Sequence, residues 1–145
     1  MTDANDLAIL FPERHVTVAG VDITMREYGF AESLQHAGLI AKLTDAIAAV
    51  ALRRDFHDLD SLREAFGACH AEVRELIAIA CDQPLDWVSG LKAAEGEVLM
   101  ALWWDVNTDF FLRRVLQSVR LRKLREVAGL TSSAPSSPMG TTRDT

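Results

Sequence analysis

Apolar and polar residues alternate over residues 15–27, on either side of an Ala-Gly pair. Alternation with a period of two is typical of half-buried β-strands, and the Ala-Gly pair fits a two-residue turn. With that turn, Val18 lies opposite Val21 and Val16 lies opposite Ile23, so one face of the hairpin is apolar. The pattern therefore predicts an N-terminal β-hairpin that packs against another element, because two strands alone are marginally stable in water.

Apolar residues at helical spacing predict two amphipathic helices after the hairpin. The first spans about residues 31–52, and Gly38 is a point at which it bends or packs closely. The second begins near Asp60, where Ser61 and Glu64 match the pattern of a capping box. The core-facing stripe of this second helix occupies an arc of roughly 100° and consists of Leu62, Phe66, Cys69, Val73, Leu76, Ile77 and Ala80.

Two further helical segments follow. Pro84 stands just after Asp82 and predicts the start of a short helix that ends at Gly90. Residues 93–127 are again helix-forming, and the Asn-Thr-Asp sequence at 107–109 is expected to cap a new helix there. We therefore expect a kink or a break in this last segment.

The expected fold class is mainly α (α+β), with an N-terminal β-hairpin followed by a bundle of about four helices and a disordered C-terminal tail. A chain of 145 residues with 49% hydrophobic composition has room for one such domain, over residues 11–128. Residues 1–10 are expected to form a flexible N-terminus. Residues 129–145 are rich in Ser, Pro and Thr and predict the disordered tail.

Composition narrows the location and the classes of function. No apolar run reaches the roughly 18 residues of a membrane-spanning helix, and the acidic start lacks the charge pattern of a secretory signal. These features predict a cytoplasmic protein in which Cys69 and Cys81 stay reduced.

The charged residues are unevenly distributed along the chain, whose net charge is −6. Residues 1–112 carry 8 basic and 19 acidic residues, whereas residues 113–125 carry 6 basic and no acidic residues. The acidic body disfavours extended nucleic-acid binding and leaves the basic segment for an acidic partner.

No arrangement of residues in the sequence indicates catalysis. The histidines, His15, His36, His57 and His70, do not form the convergent ligand set that a zinc site needs. The sequence contains no phosphate-binding glycine loop, nucleophile turn or zinc-protease motif. We therefore expect a protein that is not an enzyme and that has no cofactor or metal site.

Residues 87–124 carry an unusual density of aromatic and aliphatic side chains. The helix over 93–106 is apolar nearly all round, with Met100 and Trp104 opposite its main apolar face. Such a helix either packs inside the domain or presents apolar surface to a partner, and both interpretations stay open at this point. The helix after Asn107 also has two apolar sides, and its basic end either complements the helix dipole or selects an acidic partner.

The candidate partner-binding residues combine aromatic anchors, arginines and leucines of this region. Aromatic and Arg side chains are frequent binding hot spots, because aromatic rings provide large contact areas at modest entropic cost. The candidates are Trp87, Trp103, Trp104, Phe110, Phe111, Arg113, Arg114, Leu121 and Leu124.

Three short segments of the chain carry a family resemblance. They are Phe11-Pro12 with the hairpin and Tyr28-Gly29-Phe30, the sequence WVSGL at 87–91, and the sequence VNTDFF at 106–111. Together they resemble the small tail assembly chaperones of long-tailed bacteriophages, especially Mu-like siphophages and related prophages. The resemblance covers about residues 10–116.

The resemblance implies a non-enzymatic protein of the host cytoplasm. Its partner would be the long helical tape measure protein, which it keeps soluble until the tail tube protein polymerises around it. A tape measure exposes a long apolar stripe, so its chaperone needs accessible apolar surface and weak, repeated binding. The nearly all-round apolar helix also indicates self-association into a homo-oligomer.

Two other classes of function are alternatives to a chaperone. The first is a small phage or host regulator that binds a protein or nucleic-acid partner through the basic C-terminal helix, with Arg113, Arg114, Arg120, Arg122, Lys123 and Arg125. Nucleic-acid binding through these cations weakens steeply with salt, whereas hydrophobic binding does not. The second is an enzyme of unrecognised type, for which helical spacing brings together no nucleophile and base.

Overall fold

The structure is a computed structural model that describes residues 14–53 and 59–132, with the side chains of 14–53 and 60–129. In these residues the chain forms one hairpin and six helices, which confirms the predicted mainly helical fold with an N-terminal hairpin. The elements are β1 (His15–Val18), β2 (Val21–Thr24), α1 (Phe30–Gln35), α2 (Ala37–Arg53), α3 (Leu59–Ala68), α4 (His70–Cys81), α5 (Leu85–Ser89) and α6 (Ala93–Ser132). The expectations for residues 1–10, Phe11-Pro12 and His57 lie outside the described residues.

The hairpin has the predicted register. Val18 pairs with Val21 and Val16 pairs with Ile23 in an antiparallel ladder. The two turn residues have φ angles of 51° and 78°, as a hairpin turn with two left-handed central residues requires. Val18 and Ile23 are buried, and β1 contacts α6, so the apolar face of the hairpin covers part of the helical core.

A break at His36 divides the first predicted helix into α1 and α2. His36 has φ of −109° and ψ of 26°, outside the helical range, so the prediction of one helix over 31–52 is wrong. Gly38 lies inside α2, and a Cβ atom placed on it would meet no atom within 4 Å, so neither the bend nor the close packing predicted for Gly38 is observed. The helix α1 has no buried residue, whereas α2 buries a complete apolar face against the core. The apolar face that fixes α2 on the core therefore does not extend into α1.

A second break, at Cys69, divides the other predicted amphipathic helix into α3 and α4. Cys69 has φ of −120° and ψ of 38°. The predicted stripe is nevertheless the core stripe, because Leu62, Phe66, Val73 and Leu76 are all buried. Both α3 and α4 contact α2, so the break lets each half pack on α2 separately.

The short helix α5 is followed by Gly90, as predicted.

The helix α6 is continuous through Asn107, so the predicted kink or break is wrong. Asn107 is 0% exposed, and its Nδ2 donates a hydrogen bond at 3.2 Å to the carbonyl of Trp103, four residues earlier. Thr108 donates in the same way to the carbonyl of Trp104. Side chains that bond back to the preceding turn do not cap a new helix. The helix also extends to Ser132, beyond the predicted start of the tail at residue 129, and residues 133–145 lie outside the described residues.

Buried hydrogen bonds from the connecting segment, residues 25–29, join the elements of the core. Tyr28 is 8% exposed; its hydroxyl donates to the Leu76 carbonyl of α4 at 2.5 Å and accepts from Trp103 Nε1 of α6 at 2.9 Å. Asn107 Nδ2 donates to a carbonyl of the connecting segment at 3.3 Å. Burial raises the pKa of Tyr28, which keeps the hydroxyl protonated and able to donate. These hydrogen bonds thus connect the segment that follows the hairpin to both α4 and α6.

Tyr28→Phe is expected to lower the free energy of unfolding by about 1–3 kcal/mol. The substitution leaves the Leu76 carbonyl and the Trp103 indole N–H without this partner in the core. Urea unfolding followed by circular dichroism measures the change. Phe30→Leu is the control, since Phe30 is 80% exposed and surface changes typically stay within about 0.5 kcal/mol. A loss no larger than that of the control contradicts the role assigned to the hydroxyl.

Candidate partner-binding surface

Two of the predicted partner-binding residues, Trp103 and Phe111, are core residues with 0% exposed surface. Their ring centroids are 5.4 Å apart, and the ring of Phe66 in α3 lies 5.7 Å from that of Trp103. A partner cannot reach either ring in the folded chain. Both residues therefore leave the candidate surface and serve to anchor α6.

Trp87, Trp104 and Phe110 are half-buried and do not form one site. Trp104 packs on Phe66 of α3, with ring centroids 5.4 Å apart, whereas Phe110 packs on Tyr28 at 5.1 Å. Six residues separate Trp104 from Phe110, which places them about 120° apart around α6. Trp87 lies on a different helix, α5. The aromatic candidates are thus distributed over the domain and do not form a single hot spot.

The remaining candidates lie in or beside a groove between α1, α2 and α6, which we call the α1–α6 groove. Two adjoining depressions of about 420 and 400 Å³ form it, and both are lined by Asp45 and Arg114. Its principal lining residues are Phe30 and Leu34 of α1, Ala41, Thr44 and Asp45 of α2, and Arg114, Gln117, Leu121, Arg122 and Arg125 of α6. Phe110 stands one turn before Arg114 on the same side of α6.

Large apolar side chains are exposed on both sides of the α1–α6 groove. Phe30 is 80% exposed and Leu34 62% on α1, and Leu121 is 47% exposed on α6. Leu124, another predicted residue, is 59% exposed one turn further along α6, and Arg113 is exposed beside the groove. Exposed apolar side chains that line one concave surface are typical of an interaction site.

Positive charge dominates the α1–α6 groove. Arg114 places its guanidinium carbon 3.7 Å from the centroid of the Phe110 ring and donates from Nη1 to the Phe110 carbonyl at 3.1 Å. Burial, followed by the nearby charge of Arg113, lowers the pKa of Arg114, but arginine remains protonated in proteins. Asp45 is the only carboxylate in the described lining, and Arg122 lies 3.8 Å from it. The groove is therefore net positive in a chain of net charge −6.

An ion-pair cluster holds the start of α1. Arg26 donates from Nη1 and Nη2 to the Glu32 carboxylate at 2.5 and 2.6 Å and from Nε to Asp82 at 2.8 Å. Glu32 also accepts from the Gly29 backbone N–H at 3.1 Å. The hydrogen bonds from Arg26 lower the pKa of Glu32 to about 2, and the same bonds raise the pKa of Arg26. These charges hold in place the short helix that carries one apolar wall of the groove.

Sequence reasoning missed Phe30 and Leu34 as surface residues. The two lie four residues apart, on the side of the predicted first helix that is opposite to its apolar stripe. Two apolar residues that lie off the core stripe indicate an exposed apolar patch, and this signal is present in the sequence. Its position opposite α6 depends on the break at His36, which the apolar pattern does not indicate.

Comparison with known proteins places the chain in a family. The sequence model of a family of unknown function, DUF6631, matches residues 6–145. The chain belongs to the DUF6631 family. Neither the curated proteins nor the solved structures give this DUF6631 chain a significant match. In the part of the chain that the structure describes, no helix combines the length and the apolar character needed to cross a membrane.

Acid is expected to destabilise this DUF6631 protein through Glu32. Its folded pKa of about 2 lies below the ordinary value of 4.5, so its contribution is fully present above about pH 4.5 and disappears as the pH falls towards 2. Glu32→Gln is therefore expected to lower the free energy of unfolding at neutral pH by about 1–3 kcal/mol. The variant should also lose less stability than the native chain on acidification.

Urea unfolding at a series of pH values measures this prediction. Glu27→Gln is the control, because the Glu27 side chain is 61% exposed and pairs with Arg14 at the surface. An exposed ion pair contributes at most about 1 kcal/mol. Identical pH profiles for Glu32→Gln and the native chain contradict the assignment.

Proposed function

We propose that this chain is a non-enzymatic chaperone that binds an apolar helical segment of a partner protein in the α1–α6 groove and keeps that partner soluble. The observation that carries the proposal is the exposure of Phe30, Leu34 and Leu121 along one concave surface whose lining is net positive. An amphipathic helix buries its apolar face in a groove of this kind. The lining arginines favour a helix with acidic residues beside its apolar stripe.

The dimensions of the groove suit a short helical segment. On α6, Phe110, Arg114, Gln117, Leu121 and Leu124 follow one another at spacings of four and three residues, so they share one side of the helix. At 1.5 Å per residue, that side extends over about 21 Å, the length of about four helical turns. Apolar side chains one turn apart on the partner can therefore contact the groove at several successive points.

The client we propose is the tape measure protein of a long-tailed phage, on the strength of the resemblance of residues 10–116 to tail assembly chaperones. A tape measure is a long helix whose apolar stripe aggregates when it meets water. Many copies of a chaperone that each cover a few turns can shield such a stripe, even when each single contact is weak. A shallow groove with exposed edges fits this mode of binding better than one tight pocket does.

Leu121→Ser is expected to weaken binding of the tape measure protein about tenfold and to lower its soluble yield on co-expression. The substitution removes an exposed apolar side chain from the groove without touching the core. Leu116→Ser is the matched control, because Leu116 is 56% exposed on the same helix but does not line the groove. Co-purification from cells that express both proteins measures the yield and the complex.

The co-expression experiment also separates the chaperone from its alternatives. The native chain is expected to raise the soluble yield of the tape measure protein, and an unchanged yield without co-purification contradicts the proposal. Equal loss of binding in Leu121→Ser and Leu116→Ser contradicts the assignment of the groove. Binding that collapses as salt increases, and that is seen with nucleic acid alone, supports instead a regulator that acts through the basic end of α6.

A further inference from the structure

A separate apolar pocket lies between α3, α4, α5 and the start of α6, and it shares no lining residue with the α1–α6 groove. Its volume is about 430 Å³, within the range of roughly 300–1,000 Å³ that is typical of small-molecule sites. The floor is formed by the core itself, through the buried side chains of Phe66, Val73, Ile77 and Val88. We call this site the α3–α4–α6 pocket.

Two glycines, Gly67 of α3 and Gly96 of α6, line the pocket, and the space where a Cβ atom would stand on either is open, with no other atom within 4 Å. Met100 completes the apolar wall along α6. The pocket therefore has room above its apolar floor for an aliphatic group.

Arg74 stands in the lining of this pocket with a prearranged guanidinium. Its Nε donates to the His70 carbonyl, its Nη1 to the Ser89 hydroxyl and its Nη2 to His70 Nδ1, each at 3.2 Å. Arginine can only donate, so His70 Nδ1 accepts. Three of the five guanidinium N–H groups are thus used, and two remain for a ligand. Two N–H donors match the two oxygens of one carboxylate.

The charge around the α3–α4–α6 pocket is complementary to an anion. Arg63 and Lys92 line it together with Arg74, and Glu97 is the only carboxylate in the described lining. Within the described residues, none of these three cations belongs to an ion pair. Three unneutralised cations over an apolar floor are unusual in the part of the chain before residue 113, where acidic residues outnumber basic ones by 19 to 8.

We propose that the α3–α4–α6 pocket binds a small single-chain aliphatic carboxylate. The carboxylate lies against Arg74, with Lys92 and Arg63 nearby, and the aliphatic chain lies on the floor formed by Phe66 and its neighbours. The binding combines burial of apolar surface with a charge-assisted hydrogen bond to a fixed guanidinium. Neither contribution depends on the client proposed for the α1–α6 groove.

The path of the aliphatic chain is indicated by an adjoining depression of about 300 Å³. It shares Arg63, Phe66, Glu97 and Met100 with the pocket and continues to Trp104. A chain that starts at Arg74 can therefore run over Phe66 and Met100 towards the half-buried ring of Trp104. Its arrival there is expected to change the fluorescence of that tryptophan.

Dodecanoate is the probe for this proposal, used below the concentration at which it forms micelles. We expect saturable binding to the full chain by calorimetry, and a fluorescence change that is lost in Trp104→Phe. Arg74→Gln should weaken dodecanoate binding about tenfold or more, because a hydrogen bond between charged groups is lost. Dodecanol should bind the native chain more weakly than dodecanoate does, since it lacks the negative charge that faces Arg74.

Two further variants keep the test decisive. Gly96→Leu places an apolar side chain in the pocket while it replaces a poor helix former by a good one, so it should abolish binding in a chain that still folds. Arg125→Gln removes the same charge as Arg74→Gln from the α1–α6 groove, and it should leave dodecanoate binding unchanged. Circular dichroism confirms that each variant is folded.

Several outcomes overturn the proposal. They are the absence of saturable dodecanoate binding, equal binding of the cationic dodecyltrimethylammonium, and unchanged affinity in folded Arg74→Gln or Gly96→Leu. Loss of dodecanoate binding in Arg125→Gln indicates that the ligand occupies the other groove and also overturns it. The co-expression result for the tape measure protein is independent of these measurements, because it reports on the α1–α6 groove.

Discussion

The buried hydroxyl of Tyr28 is the interaction on which the remaining architecture depends. It joins the segment after the hairpin to α4 through the Leu76 carbonyl and to α6 through Trp103. A buried polar group is unfavourable unless it has a hydrogen-bond partner. A shift or rotation of α6 relative to α4 would therefore leave a polar group without a partner in the apolar core. This constraint sets the rotation of α6, and with it the residues that α6 presents to each concave site.

The two concave sites follow from the length of α6 and from the elements beside it. At 1.5 Å per residue, a helix from Ala93 to Ser132 is about 60 Å long, so different parts of it meet different neighbours. Its first turns border α3 and α4, where Gly96 lines a pocket, and its later turns border α1 and α2 at Arg114. Both sites combine apolar walls with basic side chains, although the body of the chain is acidic.

Local patterns explain the parts of the fold that were predicted correctly. The hairpin is specified by alternation over a few residues, and the stripe from Leu62 to Ala80 is specified by helical spacing. The break at Cys69 was not predictable in the same way, because the apolar spacing continues across it. At His36 the core stripe begins only after the break, and Phe30 and Leu34 before it lie off that stripe. The capping interpretation of Asn107 failed since its side chain has a tertiary partner, the carbonyl of Arg26, eighty-one residues away in sequence.

The sequence by itself determined the mainly helical class, the hairpin register, the core stripe and the concentration of basic charge after residue 112, since each depends on residues close together in the chain. Only the tertiary structure decided which rings of α6 are available to a partner. Trp103 and Phe111 are enclosed, whereas Leu121 is exposed in the groove that Phe30 and Leu34 also line. On a helix that is apolar nearly all round, hydrophobicity cannot distinguish the packed side from the exposed one, because that choice is made by the neighbours that bury it.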